Sequence, residues 1–188
     1  MGTRLSMMLV AAGWAYLAIV PTPAAAQTKT DAELIANAVS AAPLPVGREA
    51  SVIDIDAQGK VRQLRKGSNS FTCIPDTPST PTNDPVCVDP AGLEWTMAWV
   101  NHTEPPKGKV GFGYMLQGGS DPGNEDPFAV TPPAGHEWML TGPHVMIFDL
   151  PEMPAGYPAH AHMDDTNTAQ PYVMWPGTPY QHLMISVQ

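Results

Sequence analysis

Lys109-Val110-Gly111-Phe112-Gly113-Tyr114-Met115-Leu116-Gln117-Gly118-Gly119 is an alternating run that carries no charge after its first residue and ends in a glycine pair. Side chains along a strand alternate faces with period two. Val110, Phe112, Tyr114 and Leu116 therefore share one side, and Gly111, Gly113, Met115 and Gln117 share the other. The stretch reads as a central strand. Its bulky side is expected to face the core, while the glycines leave room on the other side for a helix bearing large aromatic residues to approach the backbone.

A helix of that kind precedes the strand. Asp89-Pro90 supplies an N-cap and a first-turn proline for Ala91 to Asn101, where Trp95 and Trp99 stand four apart and Leu93, Met97 and Val100 widen the apolar surface. Its tryptophans are expected on the glycine side of the strand, as core rather than as an exposed binding platform. Pro105-Pro106 forces an extended link between the two elements. After the strand, Gly118 to Pro127 reads as loop. Asp121, Asn124 and Asp126 offer oxygens there, but their order matches no calcium-loop motif and lacks the closing Glu. The glycine pair lacks the lysine and the following helix of a phosphate loop, so turn chemistry accounts for both features.

Further strands are expected over Gly142 to Leu150, Tyr172 to Trp175 and Tyr180 to Val187. The last two are joined through Pro176-Gly177, which suits the central positions of a type II turn. Toward the N-terminus, Ala50 to Asp56 and Lys60 to Arg65 flank Ala57-Gln58-Gly59 as a β-hairpin. Its second arm, with Lys60, Arg62 and Arg65, belongs near an edge, where charge resists unwanted pairing. Asp31 to Val39, with a cap at Thr30 and acids in its first turn, predicts a short helix that Pro43 and Pro45 end. Together these elements predict a single α+β domain over 27–188. It comprises an antiparallel sheet of about five strands, one or two helices packed on one face, and long proline-rich loops.

Residues 1–26 read as a secretory signal peptide. Arg4 is followed by an apolar run from Met7 to Val20 and then by Ala24-Ala25-Ala26 before Gln27. The run is shorter than the roughly 20 apolar residues a bilayer span needs, so no stable membrane anchor is expected and the chain is expected to be periplasmic or secreted. Export puts Cys73 and Cys87, the only 2 cysteines, where disulfides form. Their pairing would close a proline-rich loop of about 15 residues and contribute about 3 kcal/mol in the chain-entropy model. A metal or redox pair would ask for C-x-x-C spacing, which is absent.

The chain carries 18 acidic residues against 9 basic ones, and no Lys or Arg follows Lys109. Such a surface makes nucleic acid and anionic lipid poor partners and keeps an exported protein soluble. The runs Tyr114-Met115-Leu116-Gln117-Gly118-Gly119-Ser120-Asp121, Gly142-Pro143-His144-Val145-Met146 and Val173-Met174-Trp175-Pro176-Gly177-Thr178-Pro179-Tyr180, with the Asn69-to-Cys73 and Cys87 region, resemble a family of exported bacterial proteins. That resemblance covers most of the chain after residue 26. It implies export and a shared fold, but the family has no established activity, so no catalytic residue is implied.

The sharpest chemical pattern is His-x-Met, at His144-Val145-Met146 and His182-Leu183-Met184, with His160-Ala161-His162-Met163 between them. Residues i and i+2 of a strand share a face, so each pair would present imidazole beside thioether, a set that suits copper. The competing reading makes the methionines core and lets each histidine end a strand on a backbone hydrogen bond. His144 or His182 with Asp149, Asp164 or Asp165 would be the dyad of a hydrolase, but G-x-S-x-G and H-E-x-x-H are both absent. The leading expectation is a non-catalytic binding or structural protein of the cell envelope that holds no cofactor and whose partner is another envelope protein or a small ligand. A periplasmic copper protein built on His144, Met146, His182, Met184, His160 and His162 is the first alternative, and the hydrolase is the second.

Overall fold

The computed structural model describes Gly2, residues 29–164 and residues 168–187. The predicted leader, Gly2 apart, lies outside the described residues, and so does Asp165. Helix α1 (Asp31–Val39) starts where its cap dictates: the Thr30 hydroxyl accepts from the Glu33 N–H at 3.3 Å, and the Glu33 carboxylate accepts from the Thr30 N–H at 2.7 Å. The single turn α2 (Leu44–Gly47) follows Pro43. Then come the hairpin of β1 (Ser51–Ile55) and β2 (Val61–Arg65), the short strands β3 (Thr72–Ile74) and β4 (Val86–Val88), and α3 (Pro90–Val100). The chain continues through β5 (Gly111–Met115), β6 (Gly119–Asp121), β7 (Met139–Thr141), β8 (His144–Phe148), β9 (Tyr172–Met174) and β10 (His182–Ser186).

The fold is α+β, with few helices and one large sheet, but the sheet has 8 strands rather than about five, in the order β2-β1-β3-β4-β5-β8-β10-β9. Strands β6 and β7 pair apart from it as a ribbon. The strands that enlarge the sheet beyond those read from the sequence are β3 and β4. Each is 3 residues long, too short to display an alternation, and they flank the proline-rich loop. The sheet also departs from the antiparallel expectation at one pairing, since β1 runs parallel to β3 through Ser51↔Thr72 and Val52↔Cys73. Cys73 and Cys87 sit directly opposite one another on β3 and β4 and are bridged, with Cα atoms 4.0 Å apart and both residues fully buried.

Both faces of the sheet carry helices, not one as expected, and the alternation along β4 shows why. Cys87 points to a small cluster with Ala38, Ala41 and Val52 under α1, while Val88 points to the larger cluster under α3. Strand β5, fifth of the eight, is central, but its larger core lies on the glycine side instead of the bulky side. The cause is close approach. A Cβ at Gly111 would lie 2.5 Å from the Gly92 nitrogen, so glycine lets α3 settle onto the strand and stack Trp95 on Phe148 at 4.5 Å. On the opposite face Tyr114 is half-buried against Phe71 at 5.8 Å, and Val110 is 51 % exposed. Trp95 is the core tryptophan of α3. Trp99 is only half-buried, and its indole N–H donates to the Pro127 carbonyl at 2.8 Å.

The long loops over α3's face are held by one amide. Asn124, fully buried, donates to the carbonyls of His160 at 2.9 Å and Val173 at 3.0 Å and accepts from the Trp175 N–H at 2.7 Å. The Thr178 N–H donates to the Trp175 carbonyl at 3.2 Å across Pro176-Gly177, and Gly177 has φ +77°, the geometry of the expected type II turn. No helix among the described residues is long and apolar enough to cross a membrane.

Candidate metal centre

Three rows of side chains cross the sheet on the face beneath α3, and the register sets their membership. In the middle row Met146 of β8 faces Met184 of β10, with Gly113 on β5 and Tyr172 on β9 as outer neighbours. On one side of it Phe148 faces His182, flanked by Gly111 and Met174. On the other side His144 faces Ser186, with Met115 beyond it on β5. His144, Met146, His182 and Met184 therefore share one face of two adjacent strands, at 1 %, 6 %, 3 % and 3 % exposure. They do not form a square. The backbone positions of the two histidines stand at opposite ends of the methionine row, four residues or about 14 Å apart along the strands.

The surroundings of the two histidines differ. The His182 ring lies edge-on to Trp95 and Trp175, at 5.0 and 5.3 Å, with Phe148 5.3 Å away, while its Nδ1 lies 2.9 Å from the Tyr180 carbonyl. His144 Nδ1 lies 2.8 Å from the Gly142 carbonyl, and its Nε2 is buried with no hydrogen-bond partner. A carbonyl only accepts, so Nδ1 must carry the proton in both rings. Burial pushes both imidazoles down to about 4, His182 also through repulsion from His144, so both are neutral at pH 7. Nε2 of His144 is consequently a bare lone pair inside the core.

His160 and His162 do not join this set in a cluster of nitrogen ligands. His160 is exposed, and His162 packs on His136 with ring centroids 4.3 Å apart, its buried Nδ1 also unpartnered. Among the described residues, no group of three or more His, Cys, Asp or Glu is placed to hold a metal ion. For the dyad, Asp149 spends its carboxylate on the Lys109 N–H at 2.8 Å, and Asp164 is exposed. The hydrogen bonds at Nδ1 of both His144 and His182 go to backbone carbonyls.

A second polar cluster escaped the sequence reading. Asp84 accepts from the hydroxyls of Thr80 and Thr82, and Thr82 Oγ1 in turn accepts from the Ser120 hydroxyl at 2.8 Å. Burial, and then the negative charge of Asp84, push the nearby Asp121 carboxyl up to about 7. The Tyr172 phenol is pushed above its ordinary range by burial, and then by the charge of Asp121, although it shares a 2.9 Å hydrogen bond with Thr141. The acids are 37 positions apart in sequence, so no local motif announces the pair. Asn124, by contrast, was visible as an oxygen-bearing loop residue, but its amide is committed to the chain itself.

Open grooves lie elsewhere. One of about 240 Å³ runs between Pro105-Pro106, Leu150-Pro151 and Pro179 and reaches Trp95, and another of about 250 Å³ lies among Arg48, Arg65 and Lys66. Neither is lined by His144 or His182. No protein-family model, no curated protein and no solved structure matches the chain.

Proposed function

We propose that this chain is a small exported protein of the cell envelope, periplasmic or secreted, that acts by binding or as a structural component and has no catalytic activity. The observation that carries this reading is the burial of the two histidines best suited to act as bases, which are 1 % and 3 % exposed and line neither groove. A general base must reach its substrate directly or through one water, and sealed imidazoles tied to their own backbone do neither. Export is supported by the apolar run from Met7 to Val20 with Ala24-Ala25-Ala26 behind it, and by a disulfide that suits an oxidising compartment. The acidic balance argues for another envelope protein or a small ligand as partner, and against nucleic acid.

Incubation of the purified protein with ester, peptide and phosphoester substrates is expected to give no turnover above buffer. Turnover that His144→Gln or His182→Gln abolishes would overturn the reading. Fractionation of the native host is expected to recover the protein outside the cytosol with Gln27 as its first residue, and a cytosolic chain that retains its leader would refute export.

A further inference from the structure

We infer that the face beneath α3 is a binding site for Cu(I), with Nε2 of His144 and the thioethers of Met146 and Met184 as ligands. This deepens the reading of the chain as a binding protein by naming the ligand. Three observations on this face converge. Nε2 of His144 is a buried polar atom with no partner, a feature native cores avoid because an unsatisfied group costs about 1–3 kcal/mol. Its tautomer is fixed by Nδ1–H donating to the Gly142 carbonyl, the same arrangement in which metal-bound histidines are held. The register then supplies sulfur beside it: Met146 is two residues along the strand on the same face, and Met184 is the diagonal neighbour across β10, within reach of a long side chain.

The choice of metal follows from the ligands. Zinc, calcium and magnesium ask for thiolate, several imidazoles or carboxylates, and no group of three such residues occurs among the described ones. Two thioethers and one neutral imidazole are soft donors without charge, which favours Cu(I) over divalent ions. A monovalent ion among neutral ligands also carries less charge into the core than a divalent one, which lowers the desolvation cost. His182 lies at the far end of the methionine row inside its aromatic box, so the site takes one imidazole instead of the two that the paired motifs suggest.

The test is anaerobic titration of the purified, disulfide-intact protein with Cu(I) against a chromophoric chelator, with ascorbate as reductant. Wild type is expected to compete for Cu(I) at sub-micromolar free metal. The double variant Met146→Leu with Met184→Leu keeps core volume and should fold, which near-UV circular dichroism checks, yet it should weaken binding by at least about tenfold. Met174→Leu, opposite His182 on β9 in the row away from His144, should leave affinity unchanged. Independently, titration with Ag(I) as a redox-inert stand-in should shift the Nε2 resonance of His144 in ¹⁵N spectra and leave that of His136 in place. No competition by wild type, or equal affinity in the double variant with no shift at His144, would overturn the site while leaving the binding-protein reading intact. Substrate turnover would overturn that reading without touching the site.

Discussion

The buried His144 and His182 and the half-buried Asp121 are titratable groups whose pKa values move in opposite senses, and together they set how the metal-free protein responds to acid. Each histidine falls to about 4 in the fold from an ordinary 6.5, so near pH 5 the unfolded chain holds one more proton at each and stability drops on acidification. Asp121 rises to about 7 from 3.8, so the folded chain holds the extra proton and stability rises on acidification. Two groups oppose one. These three should leave a net loss near pH 5 of about 1.4 kcal/mol per pH unit on going down, and Asp121→Asn should roughly double that slope while raising stability above pH 7. Urea unfolding between pH 4.5 and 8 measures both, and an unchanged slope in the variant would show that Asp121 is an ordinary surface acid. At this scale the sequence was only half legible. His-x-Met told which side chains share a face, because period two is local. Which residues stand opposite them is set by register between segments some 40 residues apart, and so was the proximity of Asp84 and Asp121.

Strand β5 and helix α3 are the pair of elements on which the larger core depends, and the two glycines on that face of β5 are of unequal strictness. At Gly111 an added methyl meets the backbone of α3, with the Gly92 nitrogen at 2.5 Å and its Cα at 2.8 Å, so the helix itself must move. At Gly113 the nearest atom, at 2.9 Å, is the terminal methyl of Met146, the free end of a flexible side chain. Gly111→Ala should therefore destabilise by about 3 kcal/mol and Gly113→Ala by about 1 kcal/mol or less, in denaturant unfolding of the two variants. The reverse order would place the helix elsewhere. The glycines announced a helix on their side of the strand, and the caps at Thr30 and Asp89 fixed where both long helices begin. The side of the larger core is not legible from bulk along β5. Here the residues that approach most closely are the ones without side chains, and the apolar mass comes from Trp95, Phe148 and the methionines of other elements.

Across the whole molecule, the disulfide joins two strands at the middle of the sheet and closes the cluster under α1, since both sulfurs are buried against Ala38 and Val52. Reduction in denaturant followed by alkylation should lower stability on refolding by about 3 kcal/mol and loosen the α1 side before the α3 side. Hydrogen exchange would read this as faster exchange in α1 than in α3, and equal loss on both faces would show the bridge to be incidental. The bridge was legible from two cysteines around a proline-rich loop, whereas the parallel β1–β3 pairing it helps to place was not, because strands of three residues carry no pattern. The larger core has its own character. Met139, Met146, Met163, Met174 and Met184 are all at least 94 % buried there, while among the described residues Met97, Met115 and Met153 keep part of their surface in water. Peroxide turns a thioether into a polar sulfoxide that an apolar interior cannot accommodate. Outside the cytosol this chain would take its first oxidative hits at these three partly accessible methionines, and damage to the five inner ones would wait for the core to open, so that their sulfoxides would record how often the protein has unfolded.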